Sequence, residues 1–133
     1  MKKINYSVVR RIDPRNPHGE HKFYAHSQAR GITTVKEMSR IIQKRCTVTR
    51  TDVVAVLTSL EDVIRESLES GYIVSLGDLG SFRLGFSSEG TENEEDFTSD
   101  KINKVRVIFS PGRELKFEAS CLDFEKVDKK YVE

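Results

Sequence analysis

The side chains able to do nucleophilic, acid–base or metal chemistry are few in this chain, and their spacing completes no reactive set. His18, His21 and His26 lie close together in a stretch that also holds Pro17 and Gly19. Two histidines three apart bind a metal only when further ligands complete the shell, and no acidic or cysteine ligand does so here. They read as solvated turn residues, and no metal is expected. Cys46 and Cys121 are too few for a disulfide framework. Each lies on or near an apolar helix face, where cysteine usually packs as a small hydrophobe. Asp78, within Gly77-Asp78-Leu79-Gly80, reads as a turn residue rather than a catalytic acid. The same segment lacks the Gly-Lys-Ser/Thr ending of a phosphate loop and runs from strand to strand. No Ser/His/Asp arrangement has a context for nucleophilic attack. A non-enzymatic protein is expected, with no catalytic residue, cofactor or small-molecule substrate.

Charge is the more informative chemistry. The formal net charge is only +1. Yet residues 1–50 hold 12 Lys/Arg against 3 Asp/Glu, residues 51–100 hold 2 against 12, and residues 101–133 hold 8 against 6. Segregation of this size can make a basic face that attracts polyanions even in a neutral molecule. Alternatively, the halves neutralise each other within the fold or across a dimer.

The elements that must position these charges follow from periodicity. Ile4, Tyr6 and Val8 alternate with polar residues as in a half-buried strand, and Asp13–Gly19 is a turn whose prolines cannot continue a ladder. Phe23–Ser27 reads as a second strand. Thr34 with Glu37 fits a capping box ahead of a helix with Val35, Met38, Ile41, Ile42 and Cys46 on its apolar face. Thr49 with Asp52 repeats the signal before Val53, Val56, Leu57, Leu60, Ile64 and Leu68, and Ser70-Gly71 ends that second helix. Tyr72–Leu76 and Ser81–Phe86 form a hairpin around Gly77–Gly80. Ser87–Asp100 carries six acidic residues and no basic one, and reads as a mobile, solvated loop. Lys101–Phe109 is a third strand, Pro111-Gly112 a break, and Arg113–Phe124 a short amphipathic helix. From Glu125 the chain is charged and expected to fray.

At 133 residues, 37% hydrophobic and 32% charged, the chain is one ordinary domain, too apolar for wholesale disorder. Its longest apolar run, Val53–Leu57, is far too short for a bilayer. The start, Met1–Tyr6, lacks the apolar stretch of a signal peptide. A reduced, cytoplasmic compartment is expected.

The order helix, helix, three-stranded sheet, Pro-Gly, short helix carries a more specific pattern. Thr47–Val53, Glu69-Ser70-Gly71, Val74–Phe82 and Val105–Lys116 together resemble the HU/IHF family of bacterial histone-like DNA-binding proteins. The likeness covers roughly residues 31–120. The added N-terminal hairpin and the Asp-Leu-Gly-Ser-Phe turn are similar to HU-like variants of the Bacteroides group. The resemblance implies an α+β, IHF-like fold: a helical hairpin base, a three-stranded antiparallel sheet and a short C-terminal helix, here with an added N-terminal β-hairpin. It divides the chain into a β extension (1–30), an HU-like DNA-binding domain (31–124) and a charged tail (125–133). It further implies a nucleoid-associated homodimer whose β-arms reach around duplex DNA and wedge an apolar tip residue between base pairs. Sequence readout in such proteins is weak, because contacts run mostly to phosphates.

The departures from the family are local. The family's turn reads Gly, aromatic, Gly, any residue, Phe; here it is Asp78, Leu79, Gly80, Ser81, Phe82. Asp78 puts a negative charge where backbone would approach a phosphate. The family's arm is basic with a tip proline, whereas Ser87–Asp100 is acidic without one, and no position takes over the wedge. DNA contacts are therefore expected from Arg83 after the turn, Lys101, Lys104 and Arg106 along the third strand, and Arg113 and Lys116 flanking the break. The alternative is an HU-like scaffold for protein–protein contact, with the acidic segment as its docking or DNA-mimicking element. The N-terminal cations Lys2, Lys3, Arg10, Arg11 and Arg15 have no family counterpart and are candidates to replace the lost arm charges.

Overall fold

A computed structural model describes residues 2–128, and these divide into two compact units. One is built from both ends of the chain, residues 2–34 and 118–128, and the other from Val35–Phe117.

The central unit begins with two helices, α1 (Val35–Arg45) and α2 (Arg50–Glu69). Both ends of α2 follow from its sequence. Thr49 has extended backbone angles, and its hydroxyl oxygen accepts the Asp52 N–H at 3.3 Å while donating to Asp52 Oδ2 at 2.8 Å. One side-chain pair thus satisfies an orphan amide and places a carboxylate against the positive end of the helix. At the other end Gly71 N–H bonds Leu68 O and Tyr72 N–H bonds Ser67 O, with Gly71 at φ +86°. This is a Schellman closure, and its left-handed position favours glycine.

Three strands follow: β3 (Val74–Ser75), β4 (Gly80–Ser88) and β5 (Ile102–Pro111), antiparallel in that order. Phe82 faces Phe109 across the ladder with ring centroids 5.0 Å apart, which locks the register. Gly112 N–H donates to Leu79 O at 2.9 Å, and a Cβ at Gly112 would overlap the Asp78 carbonyl. The Pro-Gly break therefore lets the chain pass directly beside the β3–β4 turn. The last helix, α3 (Arg113–Ser120), starts at this point.

The acidic segment is shorter and more ordered than a solvated loop. Ser87 and Ser88 still pair in β4, opposite Asn103 and Ile102. Two single turns of 3₁₀ helix, Glu94–Asp96 and Ser99–Lys101, shape the rest, and the Glu89 N–H bonds Lys101 O at its base. Local acceptors explain the order: Thr91 Oγ1 donates to Asn93 O at 2.8 Å, and the Thr98 hydroxyl to the Asp100 carboxylate.

In the unit of the chain ends, β1 (Lys3–Arg11) pairs antiparallel with β2 (Lys22–Ser27) and parallel with β6 (Asp123–Lys126), in the order β2-β1-β6. The strand β6 corrects two expectations. The C-terminal helix stops at Ser120 instead of Phe124, and Glu125 and Lys126 belong to a ladder instead of a frayed tail. The partner strand lies more than a hundred residues earlier in the chain, so no local pattern could reveal it. Residues 129–133 of the expected tail lie outside the described residues. Within β1, the fully buried residue is Ser7 rather than a member of the Ile4/Tyr6/Val8 set. Gln28 folds back over that face and donates Nε2–H to Ser7 Oγ at 2.8 Å.

The core of the separate chain is small. Val53 and Leu68 are the buried apolar residues among those described, whereas Val56 is 64% exposed and Met38, Ile41 and Leu60 are also open. Cys46 and Cys121 are exposed too, contrary to the buried role expected of them. Both follow the last residue of a helix, where the backbone turns away from the apolar face.

Candidate nucleic-acid interface

The register of β4 and β5 sorts the sheet into two chemically different faces, because side chains alternate along each strand. Phe82, Leu84 and Val107 line a hollow together with Ile64 and Leu68 of α2, so this face meets the helix. The intervening residues lie on the other face: Arg83 opposite Ile108, and Gly85 opposite Arg106. A Cβ placed on Gly85 would fall 2.6 Å from Ile108 Cδ1 and 3.8 Å from Arg106 Nε. The missing side chain at Gly85 thus makes room for the Ile108 side chain, with Arg106 Nε in ordinary contact distance beside it. Arg83 and Arg106 are diagonal neighbours on this face, roughly 7–8 Å apart at the backbone. Both are exposed.

The other expected contact residues fall into separate groups. Lys104 sits in a β-bulge: Gly85 pairs with Arg106 and Ser87 with Asn103, so Phe86 faces both Lys104 and Val105. Lys104 carries the left-handed backbone (φ +49°) that re-aims the strand there. Lys101 stands at the base of the acidic segment, half-buried, with its carbonyl bonded to Glu89. Arg113 and Lys116 are exposed and three residues apart on α3, hence on one side of the helix. Arg113 shares a hollow with Asp78, Glu114 and Phe117. Asp78 therefore faces the start of the last helix. The structure groups Arg83 with Arg106, and Arg113 with Lys116, while Lys101 and Lys104 stand apart from both.

None of these six cations forms an ion pair among the described residues; the ion pairs there, Arg40–Glu37 and Arg65–Asp62, lie along α1 and α2. The six carboxylates of the acidic segment are exposed and equally without a cationic partner there. Among the described residues no group of His, Cys, Asp and Glu is placed to hold a metal, and no helix is long and apolar enough to cross a membrane.

A family model described as an HU domain fused to a winged helix-turn-helix, immunoglobulin or glycine-rich motif matches residues 1–126. The chain belongs to this HU family. The matched residues include β1 and β2. No curated protein matches the sequence. Among solved structures, a protein from Bacteroides vulgatus ATCC 8482, provisionally described as a bacterial DNA-binding protein, is similar over 99% of this chain, with TM-score 0.59 and 16% identity. The chain spans 51% of that protein's length. Anabaena HU, solved with DNA, has TM-score 0.53 and 22% identity, covering 66% of this chain and 98% of that one. At these identities the likeness is one of fold, and it places the chain among α+β proteins of HU type.

Proposed function

We propose that this chain is a non-enzymatic, histone-like protein that binds duplex DNA with low sequence specificity, chiefly through phosphates. The observation that carries the reading is the pair Arg83 and Arg106, exposed and without an ion pair among the described residues, on the sheet face that does not meet α2. Guanidinium groups held on a rigid ladder are good phosphate ligands, because their forked donors match the anion's oxygens. Arg113 and Lys116 add two further cations at the start of α3, Lys101 lies just before β5, and Lys104 lies in the bulge of β5. The DNA-bound state of the similar Anabaena HU agrees with this reading.

The working form is a homodimer, as in the family, in a nucleoid-associated, cytoplasmic setting. Val56 and Leu60, one turn apart, form an open apolar stripe on α2, Met38 and Ile41 of α1 are open as well, and the hollow between α2 and the sheet is lined mostly by apolar atoms. A second copy covering that stripe supplies the core this small unit lacks. The N-terminal β-hairpin is an added element of the HU unit.

Titration against two unrelated duplexes at several salt concentrations tests the reading. Similar affinity for both, falling steeply with salt, is expected. Failure to bind either duplex at low salt overturns it. That result would favour the second reading, a protein-docking scaffold, which the six exposed carboxylates of residues 89–100, none in an ion pair among the described residues, support.

A further inference from the structure

The N-terminal unit carries a charge arrangement that its own stability does not explain. Residues 2–34 hold seven Lys/Arg against Asp13 and Glu20. The β1–β2 register sets Arg11 directly opposite Lys22, and Val9 opposite Tyr24. Like charges facing each other across a ladder repel, so this pairing weakens the hairpin. No ion pair among the described residues relieves it. Arg11, Lys22 and Tyr24 border one open hollow of about 720 Å³ at the end of the hairpin. Asp13 and Glu20 also border it, but Asp13 is engaged in the loop, where its Oδ1 accepts the Arg15 N–H at 2.9 Å. Arg30, by contrast, is structural: its guanidinium donates to Lys3 O at 2.7 Å and to Asn5 Oδ1 at 3.3 Å.

We propose that this end of the β1–β2 hairpin is a second duplex-DNA contact, in which Arg11 and Lys22 bind backbone phosphates beside the exposed Tyr24. The inference rests on the DNA-binding reading above and extends it to a surface of the other unit. A polyanion resolves the like-charge pairing, since one phosphate run neutralises both cations at once. Two modest contacts carried by one chain on one polymer reinforce each other through effective concentration, without any fixed arrangement of the two units.

The test compares wild type with Arg11→Ala/Lys22→Ala, and with Arg11→Gln/Lys22→Gln, which keeps more of each stem. Each is titrated with duplex DNA from about 50 to 200 mM salt. Leaving two phosphates without their cations reduces the slope of log K against log salt by about 1.8, so wild type should lose about 12-fold more affinity than the variants over that range. Thermal unfolding supplies the second readout. Removing the repulsion should leave the melting temperature equal or higher, an outcome that a merely structural role for the two cations would reverse. If wild type binds and both variants match it in affinity and slope, this proposal is overturned while the sheet interface stands. If wild type binds no duplex, the DNA-binding reading itself has failed. Weakened binding together with a lowered melting temperature in both variants would also overturn the proposal, since the loss would then follow from damage to the hairpin.

Discussion

The double change Arg83→Gln/Arg106→Gln probes the sheet face with little expected cost to the fold. Both residues are exposed, neither forms an ion pair among the described residues, and glutamine retains part of each stem. Exposed substitutions of this kind usually change stability by no more than about 0.5 kcal/mol. Binding should respond much more. Each phosphate neutralised on duplex DNA contributes about 0.9 to the salt slope, so giving up two lowers it by about 1.8. At a tenfold lower salt concentration the difference between wild type and variant therefore widens about 60-fold. Fluorescence anisotropy with two unrelated duplexes across that salt range measures the slope directly, and the loss should be similar for both. A variant that melts like wild type and keeps the wild-type slope would refute the placement of DNA on this face. A loss confined to one duplex would instead indicate base readout.

Three further outcomes follow from the same structure. Arg113→Ala/Lys116→Ala should weaken all duplexes about equally and lower the salt slope by about 1 for each phosphate no longer neutralised, measured in the same titration. Replacing Gly90–Asp100 by Asn-Gly should leave the fold intact, because Glu89 N–H and Lys101 O already close the base of the segment as a two-residue turn requires. Circular dichroism would register any loss of fold, and DNA affinity should stay the same or rise as five of the six carboxylates are removed. Val56→Asp should be nearly silent in an isolated chain, where the residue is 64% exposed. In a dimer that buries the stripe it should dissociate or unfold the protein, which sedimentation at micromolar concentration distinguishes.

Local signals made much of the central unit readable without coordinates. Thr49 and Asp52 mark the start of α2, Ser70-Gly71 its end, and Pro111-Gly112 the end of β5, because caps and breaks are chemistry between residues a few positions apart. The alternation of Phe82, Arg83 and Leu84 likewise separates an apolar from a basic side before any partner strand is known. Which side meets α2 needed the tertiary structure, as did the pairing that sets Arg83 beside Arg106 across Gly85. The bulge at Lys104 has no glycine to announce it. Ser7 is buried because Gln28 folds over it, and Asp123–Lys126 is a strand because β1 is there to pair with it. The opposition of Arg11 and Lys22 depends on the hairpin's register across a long turn. Charge counts along the chain revealed that cations are abundant at the N-terminus. Only the ladder decided which of them face each other, since cross-strand neighbours are set by long-range hydrogen bonding and not by spacing in the sequence.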